Sequence, residues 1–344
     1  MNLPLLTTLV ETHGTSGRED RVRAVVDAEL APLVDRTERD PLGGVIARRE
    51  GTGEGPRVML AAHMDEIGLM VTHIDDHGFL RVLPIGGWDA TTLVDQRVLV
   101  RGRRDLEGVV GTTPIHLQDE AARKKRPAIT DLAIDLGLPA ERVRELVRPG
   151  DTATRIRSLR PLGDLLTGKS LDDRVGLYVM IEAMRATAAG AGETVACATV
   201  QEEVGLRGSR VATSRVRPDV ALAIDTCPAD DGPGGKRTGT TLLGHGAAIR
   251  VMDASAIGSR PLVDLLETLA TEREIPHQFH VANRGGTDTQ SLQLSGEGAI
   301  AGCVSIPSRY VHTSVELVHP DDVDAAVRLT AALIEEAHRI APPA

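Results

Sequence analysis

Arg57-Val58-Met59-Leu60-Ala61-Ala62, running directly into His63-Met64-Asp65, is the stretch that decides the fold. An apolar run without alternation reads as a strand buried on both faces, the kind found inside a sheet flanked by helices. In open sheets of that class ligands gather at the carboxyl ends of the strands. His63 and Asp65 stand at such an end. Working outward, the same texture recurs. Strands are expected at 43–48, 194–200, 219–225 and 298–305. Helices are expected from near Glu19, over 172–189, from Pro261 to Arg273 and from Asp321 to Ile340. Ser16 or Thr15 is expected to cap the first of these helices and Asp321 the last. Strands alternating with helices predict an α/β fold built on a mainly parallel sheet.

The texture changes between 68 and 162. Short β-rich runs (Phe79 to Leu83, Gln96 to Val100, Gly108 to Gly111) are separated by Gly, Asp and Arg, with one short helical turn from Glu141 to Val147. This predicts a small β-domain over 68–162 inserted into a catalytic domain made of 1–67 and 163–344. The insert is too small to be a substrate domain, so it is expected to carry a subunit contact.

Composition narrows the function. The chain has 344 residues, long enough for two domains, and a formal charge of -10. An acidic surface argues against nucleic acid and anionic membranes as partners. Only Phe79, Trp88, Tyr178, Phe279 and Tyr310 are aromatic, so the core must be aliphatic. Cys197, Cys227 and Cys303 form no CxxC pair, which points to a reduced, cytoplasmic chain rather than a disulfide framework. Met1-Asn2-Leu3-Pro4 does not open a signal peptide. No apolar run approaches the ~18 residues of a membrane span. Arg123-Lys124-Lys125-Arg126 reads as a solvated loop and Ala341-Pro342-Pro343-Ala344 as a frayed tail.

The chemistry lies in side chains at the edges of the apolar runs. His63 can bind a metal through one ring nitrogen while Asp65 takes the other N–H; the alternative is a histidine that merely ends a strand. Asp172-Asp173 stands at a helix start, where a carboxylate can bridge two cations or simply cap the helix. Glu202-Glu203 ends a strand and precedes Gly205-Leu206-Arg207-Gly208; one carboxylate can bind metal and the other act as a base, or both can form a solvated turn. Asp225 and His312 each have a reading as a loop residue. Gly285-Gly286-Thr287-Asp288 is a turn that either lines a substrate site, through Gly286 and Asp288, or is structural. Taken together, two imidazoles and several carboxylates without thiols suit two divalent ions sharing one carboxylate. The set points to a co-catalytic metallohydrolase.

At these residues the chain resembles the tetrahedral (TET) aminopeptidases, the glutamyl or deblocking aminopeptidases among dinuclear metallopeptidases. The resemblance is carried by Ala62-His63-Met64-Asp65-Glu66-Ile67-Gly68, Gly86-Gly87-Trp88-Asp89, Lys169-Ser170-Leu171-Asp172-Asp173-Arg174, Gln201 to Gly208, Gly285 to Asp288, and Ile306 to His312. It implies that His63, Asp172, Glu203, Asp225 and His312 bind two metals, zinc or cobalt, with Asp172 bridging. It further implies Glu202 as general base, Asp65 orienting His63, and a cis peptide between Asp172 and Asp173. The insert would be a PDZ-like dimerisation barrel, and dimers would build a tetrahedral dodecamer acting on short peptides. Gly244-His245-Gly246-Ala247 departs from the family's usual Gly-Lys-Gly-Pro, which bears on pocket shape rather than on the ligands. A dizinc deacylase or carboxypeptidase, a metal-independent glycosidase and a non-enzymatic scaffold are the competing readings.

Overall fold

The computed structural model describes residues 1–120, 124–235 and 241–340. Arg123 and the last four residues, read above as loop and tail, lie outside them. The chain opens with helices α1 (Leu3–Glu11) and α2 (Asp20–Leu30), then strands β1 (Arg36–Arg39), β2 (Val45–Arg49) and β3 (Val58–His63). The β-rich segment holds β4 (Gly68–Ile74), β5 (Leu80–Ile85), β6 (Arg97–Arg101), β7 (Asp105–Gly111), β8 (Ala133–Asp135), α3 (Ala140–Leu146) and β9 (Thr152–Arg155). Then follow β10 (Arg160–Leu162), β11 (Leu165–Gly168), α4 (Leu171–Ala186), β12 (Thr194–Thr199), α5 (Arg207–Val216), β13 (Val220–Pro228), β14 (Ala247–Met252) and α6 (Arg260–Glu272). The remainder comprises β15 (His277–Val281), α7 (Thr289–Leu294), β16 (Ile300–Arg309), β17 (Glu316–Val318) and α8 (Pro320–Glu336).

The large sheet runs β1-β2-β12-β3-β13-β16-β17-β11-β10, with β14 and then β15 branching from β16. Its centre, β12-β3-β13-β16, is parallel. Its flanks pair antiparallel, so the sheet as a whole is mixed. The central strands are buried on both faces, and residue parity sorts them. Val58, Leu60 and Ala62 face the core under α1, α2, α4, α6 and α8. Met59 and Ala61 face the smaller core under α5 and α7. That second face is lined mostly by Ala and Cys, with Ile46, Met59 and Val195, which lets short helices pack closely without aromatic filler. α4 is buried along most of its length, which explains the lack of a polar stripe in its sequence.

The β-rich segment closes into a barrel in the order β4-β5-β8-β7-β6-β9 with its own core. The last expected residues of the insert, Arg160–Leu162, form β10 at the edge of the large sheet. Two expected caps are placed differently. α2 begins after Glu19 with no side-chain cap bond, and the Ser16 hydroxyl donates instead to Asp65 at 2.6 Å. α8 is capped by the His319 ring, which accepts from the Asp321 N–H at 3.1 Å, so Asp321 is the capped residue. The first change is longer-range packing overriding a local preference, and the second is one local cap, two residues earlier, taking the place of another.

Candidate metal centre

The four parallel strands deliver their carboxyl ends to one place. β3 and β12 are in register with His63 opposite Thr199, so Glu202 and Glu203 emerge beside His63. β13 brings Asp225, and the chain leaving β16 brings His312. The N-terminal end of α4 brings Asp172 from the helical layer. All of these line a cavity of about 920 Å³.

Asp172 sits between the two imidazoles. His63 Nε2 lies 3.4 Å from its Oδ1, and His312 Nε2 lies 3.5 Å from its Oδ2. His312 Nε2 is also 3.3 Å from Glu203 Oε2. Donor atoms of Asp172, Glu203 and His312 lie within 4.8 Å of one another, as do those of His63, Asp173 and Asp225. Asp172 Oδ1 is buried without a hydrogen-bond partner among the described residues. Asp173, by contrast, is used up by backbone. Its Oδ2 accepts from the His63 N–H at 3.2 Å and its Oδ1 from the Gly176 N–H at 3.1 Å. The capping alternative therefore holds for Asp173 and not for Asp172. The peptide joining the two is cis.

Glu202 Oε2 is 3.9 Å from His63 Nε2, and its carboxylate makes no hydrogen bond among the described residues. Asp65 does more than face His63. The His63 Nδ1 contacts the Asp65 carbonyl at 3.0 Å, with the carboxylate at 3.5 Å. The Asp65 carboxylate itself accepts from the Glu202 N–H at 3.0 Å, the Glu203 N–H at 3.2 Å and Ser16. It holds the loop that presents both glutamates. Gly286 lines the cavity; Asp288 does not. Asp288 is buried and accepts from Thr199, the last residue of β12, at 2.7 Å.

Burial raises the pKa of Asp225, with Asp172 adding to it, to about 8. Burial also lifts Glu202 well above the carboxylate range, helped by Asp225 and Glu203. Burial opposes charge on His312, but Asp172 and Glu203 outweigh it and raise its pKa to about 11. This is a buried excess of carboxylate with too few cations.

Glu316 was invisible in the sequence as a site residue. Buried four residues past His312, it accepts from the His312 N–H and the Asp172 N–H, each at 2.9 Å. Among the described residues, five of the eight non-glycine residues with positive φ (Ser170, Gln201, Leu206, Tyr310 and His312) lie in the segments that carry the site. Such conformations cost roughly 1–2 kcal/mol each and persist where the surroundings impose them. From the barrel, Gly86 and Gly87 close the wall: a Cβ on Gly87 would lie 3.2 Å from His312 Nδ1.

Comparisons with known proteins agree with this geometry. A "Lysyl aminopeptidase" of Pyrococcus furiosus is 37% identical, with 96% of each chain covered. The structure of "Aminopeptidase APDkam598" from Desulfurococcus kamchatkensis superposes with a TM-score of 0.94 at 40% identity, covering 99% of this chain and 97% of that one. The "TET1 peptidase" of Pyrococcus horikoshii superposes with a TM-score of 0.88 at 35% identity, covering 97% and 99%; it "can assemble into a tetrahedron or a large octahedral shell". Residues 43–329 match the model of the M42 glutamyl aminopeptidases, and the chain belongs to that family of metal-dependent aminopeptidases.

Proposed function

We propose that the chain removes N-terminal residues from short peptides with two divalent ions, one held by His63, Asp225 and Asp172, the other by His312, Glu203 and Asp172. One observation carries the pairing: the two imidazoles face different oxygens of a single carboxylate. The orphaned Asp172 Oδ1 and the uncompensated buried carboxylates fit cations at the same place. Nitrogen and oxygen donors without thiols suit zinc or cobalt. When bound, such ions supply Lewis acidity, polarising a scissile carbonyl and making water a stronger acid.

Glu202 is the general base in this reading. Its carboxylate is free on the cavity wall, so it can take a proton from the attacking water and return it to the leaving nitrogen. Asp65 fixes the Glu202-Glu203 backbone and, through its carbonyl, the His63 ring. Gly286 contacts substrate, and Asp288 positions Thr199 from below. The carboxylate-rich floor favours a free ammonium over a carboxylate terminus. Acetylating the amine should therefore cost roughly two decades in kcat/KM. The barrel is proposed as the dimer contact, with dimers building a tetrahedral dodecamer, and the three buried thiols fit a cytoplasmic chain. No helix among the described residues is long and apolar enough to cross a membrane.

A panel of aminoacyl-p-nitroanilides with zinc, cobalt or manganese added, and free against N-acetyl peptides followed by mass spectrometry, tests the reading. Loss of residues from the C-terminus, equal cleavage of blocked peptides, or activity resistant to chelators would overturn it.

A further inference from the structure

The two imidazoles of the metal centre are held in different ways. His63 has its second ring nitrogen engaged by the Asp65 carbonyl. His312 Nδ1 has no hydrogen-bond partner among the described residues; what adjoins it is the backbone of Gly87. A ligand histidine normally has its orientation set by a bond to that second nitrogen. For His312 the orientation has to come from its backbone, whose φ of 65° lies in the left-handed region.

Two side chains grip that backbone. Glu316 takes the His312 N–H. The carbonyl faces Arg155, whose Nη1 donates to it at 3.4 Å. Arg155 is the last residue of β9 and thus belongs to the barrel. It is 4% exposed. Its guanidinium lies 4.4 Å from the centroid of Trp88, in cation–π range. Trp88 is itself fixed by its indole N–H to the Gly68 and Ile85 carbonyls at 2.8 and 3.1 Å. Among the described residues Arg155 has no carboxylate within ion-pair distance, though Glu316, Glu66 and Glu203 attract it from further away. A buried arginine without an ion pair, stacked and aimed at a ligand's carbonyl, is costly unless its position is used.

We infer that Arg155 is a positioning residue for His312, so that the Trp88–Arg155 pair makes the barrel an integral part of the metal centre. This rests on the proposed two-ion reading. The barrel then has a second task beyond any subunit contact: it supplies the outer support that the catalytic domain supplies for His63.

The test is titration of the full-length apoprotein with cobalt against a competing chelator, with assembly checked by light scattering. Wild type should bind two ions. Arg155→Ala should weaken one of them by about ten- to hundredfold, the usual cost of losing outer support, and leave the other unchanged. Adding Arg155→Ala to His312→Ala should not weaken the remaining ion further. Arg155→Lys should recover part of the loss. Trp88→Leu, which removes the stacking ring and its indole bonds but keeps Arg155, should reproduce the selective weakening and serves if Arg155→Ala fails to fold. Two ions bound as in wild type in Arg155→Ala, or equal weakening of both, would overturn the inference while leaving the two-ion reading intact. A wild type that binds no pair of ions would overturn both.

Discussion

Two buried groups of charge lie within a few residues of each other along the chain and are composed on opposite terms. Beneath the cavity, Glu66 meets two cations: the Lys169 ammonium lies 2.9 and 2.8 Å from its two oxygens, and Arg174 lies 3.5 Å away. Ser170 and the Gly14 N–H complete its shell, and Arg174 also donates to the Leu9 and Thr12 carbonyls. Only Arg174 Nε lacks a partner. In the cavity, Asp172, Glu202, Glu203 and Asp225 face two imidazoles, and one carboxylate oxygen is bare. The first group is sealed in the protein, with Lys169 and Arg174 at most 1% exposed, whereas the second opens onto the cavity, with His312 36% exposed. The compensated group fastens the segment before α4 to the segment after β3. The other holds more carboxylate than cation, so burial pushes Glu202 and Asp225 towards their neutral forms unless cations are bound, and that imbalance separates a site from a strut.

The sharpest way to break this contrast is Asp172→Ala. It should lose both ions and all activity, while Glu66 variants keep their ions. Elemental analysis showing two metals per Asp172→Ala subunit would sink the bridging assignment. Glu202→Gln comes next. It should retain its metals and lose about two to four decades in kcat, whereas Glu203→Gln should lose metal. The reverse pattern would show the two roles exchanged.

Glu66→Gln probes the other region. It leaves Lys169 and Arg174 facing a neutral amide, at a cost of roughly 3–5 kcal/mol in stability. Denaturant unfolding should show that loss with metal content per folded chain unchanged. Its pH dependence has a definite sign. Burial opposes ionisation of Glu66, but Lys169 and Arg174 outweigh it and hold its pKa at about 2 against an ordinary 4.5. A depressed carboxylate stabilises above its unfolded pKa. The gap between wild type and Glu66→Gln should therefore be constant above about 4.5 and shrink as the pH falls towards 2. A gap independent of pH across that window would place the stabilisation elsewhere.

The smallest expected effect is that of Ser16→Ala. It removes one bond to the Asp65 carboxylate, a charged acceptor, and so should cost about tenfold in kcat through a looser Glu202-Glu203 loop. Unchanged kcat would show that Asp65 is held well enough by its two backbone donors.

The sequence alone decided whatever depends on local pattern. Unbroken aliphatic runs can be satisfied only inside a sheet covered on both faces, so the central strands and the flanking helices were legible. His63, Asp172-Asp173, Glu202-Glu203, Asp225 and His312 were legible as candidates because they stand at the edges of such runs, and the family resemblance alone singled out Asp172 and Glu203 within the pairs. What the sequence could not decide is partnership over distance. Asp172 and Asp173 are alike in sequence, yet only the tertiary arrangement gives Asp173 to the backbone of His63 and sets Asp172 between two imidazoles with its Oδ1 lacking a hydrogen bond. Ser16 looked like a helix cap and proved to hold Asp65, 49 residues away. Glu316 carried no signal, because accepting two backbone N–H groups needs only a buried carboxylate in the right place. Arg155 was one arginine in a chain rich in them until closure of the barrel set it against Trp88 and His312. Local propensity acts over a few residues, whereas charge compensation is settled only by what folding brings within about 4 Å.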